Sequence, residues 1–142
     1  MRARKAEEDK ALFLRVRALL PSDDPMLEIR DPHFGSSFPT RLARMVYMFT
    51  VERRRPEFEF HDAELEKACE ELTKSAHAFL EPVEKHTFGS YGNSDFSTVP
   101  REWRGTNPEL HAQAVESLNE ASLQLYSDYE TFIKLGRSKL GD

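Results

Sequence analysis

The stretch NPELHAQAVESLNEASLQLYSDYETFI, residues 107–133, decides the fold. Leu110, Ala114, Leu118, Ala121, Leu125, Tyr129 and Phe132 recur at steps of three and four, the spacing that lays apolar side chains along one face of an α-helix. Val115, Leu123, Tyr126 and Ile133 widen that stripe. Asn107 followed by Pro108 is a favoured start: the first caps, and the second has a fixed φ that suits the opening turn. At ~1.5 Å per residue the helix is about 45 Å long, so other elements must pack along it. Gly136 and Gly141 are expected to loosen its end.

Upstream, Leu65, Cys69, Leu72, Ala76, Phe79 or Leu80 and Val83 form a second stripe of the same period. Asp62 is the expected N-cap, Glu64 and Glu66 suit the positive helix start, and Pro82 is positioned to kink the end. Phe58 and Phe60 alternate with Glu57 and Glu59, but the run is too short for a sheet and reads as a lead-in whose rings tuck against this helix. Between the two helices lies HTFGSYGNSDFSTVPREWRGTNPE, residues 86–109. Connections beyond roughly 12 to 15 residues are functional, disordered or misassigned, and the aromatics Phe88, Tyr91, Phe96 and Trp103 argue for order. The connector therefore reads as an ordered crossover in which Phe88 closes the preceding helix and Val99 to Arg104 form a short turn docked by Trp103.

The N-terminal part carries two further helical patterns. From Arg2 to Leu20, Leu12, Val16 and Leu19 or Leu20 share a face, with Phe13 beside it, and Pro21 ends the helix. Met26 to Ile29 reads as a short, extended piece laid along the bundle. Ser37 is then a candidate cap for a helix that tolerates Pro39 in its first turn, with Phe38, Leu42, Met45 or Val46 and Phe49 facing the core. Arg53, Arg54 and Arg55 end it, opposing the partial negative charge of the last carbonyls before Pro56. Four striped helices without convincing strands imply an all-α, four-helix bundle-like single domain over residues 1–142, with the last two helices antiparallel. Residues 1–27 form its charged N-terminal helix and turn.

Composition excludes several classes of function. The single cysteine, Cys69, rules out an internal disulfide and a Cys-rich zinc site, which leaves a cytoplasmic setting as the expectation. The densest apolar run, Met45 to Phe49, is too short to cross a bilayer, although association with the cytoplasmic face of a membrane remains an alternative. The net charge of −5 hides an asymmetry. Residues 1–55 hold 12 basic and 8 acidic side chains, whereas residues 56–142 hold 8 and 17, so the parts carry +4 and −9. Such parts attract each other within one domain. Nucleic-acid binding is possible but unsupported, because acids interrupt the basic residues and no aromatic platform is interleaved among them.

Candidate chemistry is sparse. Cys69 sits within an apolar stripe, where a thiol behaves as a small hydrophobe. His77 and Glu81 share a helix face but lack the ligand repetition of a metal-binding bundle. Phosphate-binding and hydrolase loop motifs are absent, and neither a metal nor a cofactor is expected. Arg104 and His111 stand in an R-x6-H spacing similar to the Arg-x4-6-His signature of HEPN-type ribonucleases, whose pair polarises phosphate and moves protons. Gly105 and Pro108 interrupt the spacing and place Arg104 outside the helix.

The order of short motifs resembles an uncharacterised bacterial family of helical domains. It comprises Phe34-Gly35-Ser36-Ser37-Phe38, then Pro56 to Asp62 with Glu64-Leu65-Glu66, Thr87-Phe88-Gly89, Val99 to Trp103, Pro108-Glu109 and Leu118-Asn119, within residues 28–140. This chain departs from the family pattern at His33, where the family has Asp, and at Ser36, where it has Gly. The family requires no His at position 111, which counts against the ribonuclease. The resemblance implies a helical domain, preceded in some relatives by a membrane helix, with no assigned activity.

Two functions are thus expected in order of preference. The first is a non-catalytic interaction or regulatory module that binds a protein partner or forms a homo-oligomer through Phe34, Tyr91, Phe96, Arg101 and Trp103, whose aromatics present large stiff area. The second is an RNA-cleaving nuclease using Arg104 and His111.

Overall fold

The computed structural model describes residues 2–31, 38–86, 88–90, 93–100 and 102–141. In chain order it contains α1 (Arg2–Leu19), α2 (Asp24–Arg30), β1 (Phe38–Pro39), α3 (Arg41–Arg53), α4 (Ala63–His86), β2 (Phe88–Ser90), β3 (Asn93–Thr98), α5 (Trp103–Thr106) and α6 (Pro108–Leu140). The chain is all-α apart from a small antiparallel sheet in the order β1-β3-β2. Ser97 is the Cα partner of both Phe38 and Gly89, so β3 joins the two connectors.

The longest helix, α6, starts as its sequence requires: Asn107 accepts a hydrogen bond from the Leu110 N–H at 3.1 Å, and Pro108 follows. Its buried residues are Ala114, Leu118, Ser122, Leu125, Tyr129, Phe132 and Gly136. The stripe therefore runs through Ser122 and Gly136, while Leu123 is 54% exposed and lies outside it. Ser122 is accommodated because its hydroxyl donates to the Ile29 carbonyl of α2. Gly136 does not loosen the helix end; it lies within α6, and a Cβ there would sit 2.1 Å from the Phe13 ring of α1. Gly141 closes the helix with φ +80°, a conformation that side chains disfavour.

Two contacts join α4 and its cap to α6: Lys139 bridges Asp62 at 3.1 Å and Ser75 donates to Asp128, while Ala78, Glu81 and Pro82 line a recess with Ser117, Ala121 and Gln124. Residue numbers rise on one helix as they fall on the other, so the pair is antiparallel. Helix α1 also runs antiparallel to α6, with Lys10 donating to the Leu140 carbonyl, Phe13 on Gly136, and the Tyr129 hydroxyl donating to the Leu20 carbonyl at 2.8 Å. One core cluster draws Phe13, Val16, Met26, Ile29, Phe49, Leu72, Phe79, Leu118 and Phe132 from five helices. Burial of these side chains, at roughly 25 cal/mol per Å² of apolar area, is the main force holding them together.

Several expectations are corrected. Met26 to Ile29 is helical rather than extended, because both of these side chains are fully buried and one helical turn turns them inward together. Helix α3 begins at Arg41, after Pro39 has entered β1, and its N-cap position is Thr40. The Ser37 cap lies outside the described residues. Phe88 does not close α4 but pairs with Thr98 in the sheet. On α1 the buried positions are Asp9, Phe13 and Val16, followed by Leu20 just past its end, with Leu12 and Leu19 half-buried at the flanks.

Candidate functional site

The residues nominated from the connectors are unevenly placed. Phe34, Tyr91 and Arg101 lie outside the described residues. Phe96 occupies β3 opposite Pro39, and Trp103 opens α5, half-buried against the core cluster. The packing of Trp103 gives it a structural role on at least one face. Arg104 and His111 are brought together by the turn from α5 into α6: Arg104 Nε lies 3.5 Å from His111 Nε2, with Arg104 exposed and His111 half-buried.

A larger concavity is lined by none of these residues. Helix α1 and the segment 52–61 enclose an open groove of about 1000 Å³. Its apolar floor is Ala11, Leu12, Pro56, Phe58 and Phe60; its charged lining is Glu8, Arg15, Glu52, Arg55, Glu57, Glu59 and His61. Asp9, only 3% exposed, creates this shape by accepting the backbone N–H groups of His61 at 2.8 Å and Asp62 at 3.0 Å. It thereby ties the lead-in segment to α1. Asp62 then caps α4 by accepting from Glu64 and Leu65 at 3.0 Å each. The bond from the Leu65 N–H holds the Asp62 carboxyl below the ordinary carboxylate range; burial opposes it, and Lys139 adds to the lowering.

No family model, curated protein or solved structure matches this chain.

Within the groove, charges are arranged in local pairs. Glu8 meets His61 Nε2 at 2.6 Å, a contact that lowers the Glu8 pKa. Glu52 receives Arg55 at 2.8 Å and Arg15 at 3.2 Å. The arginine triplet thus divides: Arg55 turns to Glu52, Arg53 points inward to Glu66 at 2.7 Å and to the Phe58 carbonyl, and Arg54 is exposed. The groove lining contains no Ser, Thr, Cys or Lys that could act as a nucleophile beside His61.

Cys69 is fully buried, and burial pushes its thiol up to about 12 despite the Arg53 charge nearby. That removes it from nucleophilic chemistry at neutral pH. His77 and Glu81 are exposed, and among the described residues no group of three or more His, Cys, Asp or Glu side chains could hold a metal ion. No helix among the described residues is long and apolar enough to cross a membrane.

Proposed function

We propose that this protein is a non-catalytic helical interaction module that receives a segment of a protein partner in the groove between α1 and residues 52–61. The observation that carries the proposal is the groove itself, with its apolar floor and its lining of four glutamates against two arginines and one histidine. Such a surface suits a segment that places a large apolar side chain over Leu12 and Phe58 and basic side chains beside Glu57 and Glu59. The scaffold is read as a four-helix bundle of α1, α3, α4 and α6, with the aromatic connector 86–109 folded as a crossover. Membership of the bacterial helical family and a cytoplasmic setting belong to the same proposal. A photoreactive amino acid at position 57 is expected to crosslink a partner in native lysate, whereas the same probe at exposed position 123 is not. Equal crosslinking at both positions, or none at 57, overturns the proposal.

A second reading is favoured by one distance. The approach of Arg104 Nε to His111 Nε2 at 3.5 Å suits a pair acting on one phosphate, as in an RNA-cleaving nuclease of HEPN type. The intact protein would then cleave single-stranded RNA, and the double variant Arg104→Ala/His111→Ala would not, with an unchanged melt. Absence of cleavage by the intact protein removes this reading.

A further inference from the structure

Helix α3 has the sequence RLARMVYMFTVER, with Glu52 as its sole acid. Glu52 is buried and already held between Arg15 and Arg55, while Arg53 is committed to Glu66. Leu42, Val46 and Phe49 face the core. What α3 and its cap residue Arg54 present to solvent is therefore Arg41, Arg44, Tyr47, Met48 and Arg54, all exposed. At ~100° per residue these five fall within an arc of about 140°. Tyr47 is 49% and Met48 44% exposed, in a molecule whose large apolar side chains are mostly buried. None of Arg41, Arg44 and Arg54 has an acidic partner among the described residues. The +4 surplus of residues 1–55 is thus only partly neutralised by the acidic remainder of the chain, and three of the cations without an acidic partner lie on this face of α3.

We infer that this face of α3 binds single-stranded nucleic acid, with Arg41, Arg44 and Arg54 contacting phosphates and Tyr47 stacking on a base. The arginines form a track about 20 Å long at ~1.5 Å per residue, and a planar guanidinium donates two parallel hydrogen bonds to one phosphate. An aromatic ring between such contacts is the sequence-tolerant platform used by single-strand binders. An anionic lipid surface fits less well. A helix lying in a membrane interface needs a broad free apolar face, and α3 has given Leu42, Val46 and Phe49 to the core, leaving Tyr47, Met48 and the half-buried Val51 among the arginines. The inference is independent of the groove and of any cleavage at Arg104 and His111, since it concerns binding alone.

Fluorescence anisotropy with a labelled 12-nucleotide oligo(U) at 50 mM salt tests it. The intact protein is expected to bind, with log K falling against log salt at a slope of about −2, since each phosphate contact on a single strand contributes roughly −0.7. Arg41→Glu/Arg44→Glu is expected to weaken binding at least tenfold and to flatten that slope. Tyr47→Ala is expected to weaken binding about tenfold with the slope retained, the signature of lost stacking rather than lost charge. Charge reversal elsewhere, Lys67→Glu/Lys74→Glu on α4, is expected to change affinity by less than the α3 reversal, with all variants melting like the parent. Three results overturn the inference: no binding by the intact protein, equal loss in the α4 control, or full affinity in both α3 variants. Binding to phosphatidylserine vesicles without binding to the oligonucleotide, or self-association abolished by the α3 reversal, would also overturn it, in favour of a lipid or a second copy of the chain.

Discussion

Gly136 shows how a single residue sets a helix packing distance. A Cβ at this position would fall 2.1 Å from a Phe13 ring that is fully buried. Gly136→Ala is expected to lose up to about 2 kcal/mol in urea unfolding, because overpacking of roughly 1–3 kcal/mol outweighs the ~1 kcal/mol that alanine gains over glycine in a helix. An increase in stability would show that α1 does not lie on α6 at this point. Cys69 gives a chemical counterpart. With its pKa pushed up to about 12 by burial, the folded protein is expected to resist a disulfide-exchange reagent at pH 8 and to react only when unfolded by denaturant. Rapid labelling of the native protein would place the thiol at the surface. Both residues mark what hydrophobicity encodes: cysteine reads as apolar and is buried, whereas glycine reads as a loosening residue and instead receives a ring.

At the scale of elements, the caps are the most legible features of the chain. Asp62 and Asn107 each accept a backbone N–H within the first turn of the helix they begin, because both are short polar residues placed immediately before an apolar period. Asp62 also sets a pH dependence. Its folded pKa lies below its ordinary value near 3.8, so it contributes stability that is fully present above that value and lost as pH falls through the folded pKa. Asp62→Asn is expected to flatten the decline in stability below about pH 4, measured by urea midpoints; an unaltered decline would show that Asp62 is not a source of it. Asp9 was harder to foresee, since its partners are backbone groups 52 and 53 residues away. Asp9→Ala leaves two N–H groups without that acceptor and is expected to cost about 1–3 kcal/mol of stability. The short helix α2 was also missed, as four residues from Met26 to Ile29 are too few to display a period, and it is the core that makes them helical.

For the whole molecule, the helical class was readable from two long stripes, whereas the concavity was not. The groove forms where residues 8–15 meet residues 52–61, and no local pattern encodes the meeting of segments some forty residues apart. Arg104 and His111 were noticed because they are close in sequence, and they are close in space for the same reason. The apolar spacing places Leu42, Val46 and Phe49 on the buried face of α3, as found, but does not tell which of its charged residues are paired. Only once Glu52 and Arg53 are seen to be paired does the remainder of the helix stand out as cationic. Charge asymmetry was visible in the sequence, but its distribution over surfaces depends on tertiary pairing.

The central claim is that the groove between α1 and residues 52–61 recognises a basic segment with an apolar anchor. Selection of a random peptide library on the immobilised protein, repeated on Glu57→Lys/Glu59→Lys, tests it most directly. Enriched peptides should carry Lys or Arg flanking one large apolar residue and should lose binding to the charge-reversed variant. Enrichment of acidic peptides, or equal binding to both proteins, would contradict it.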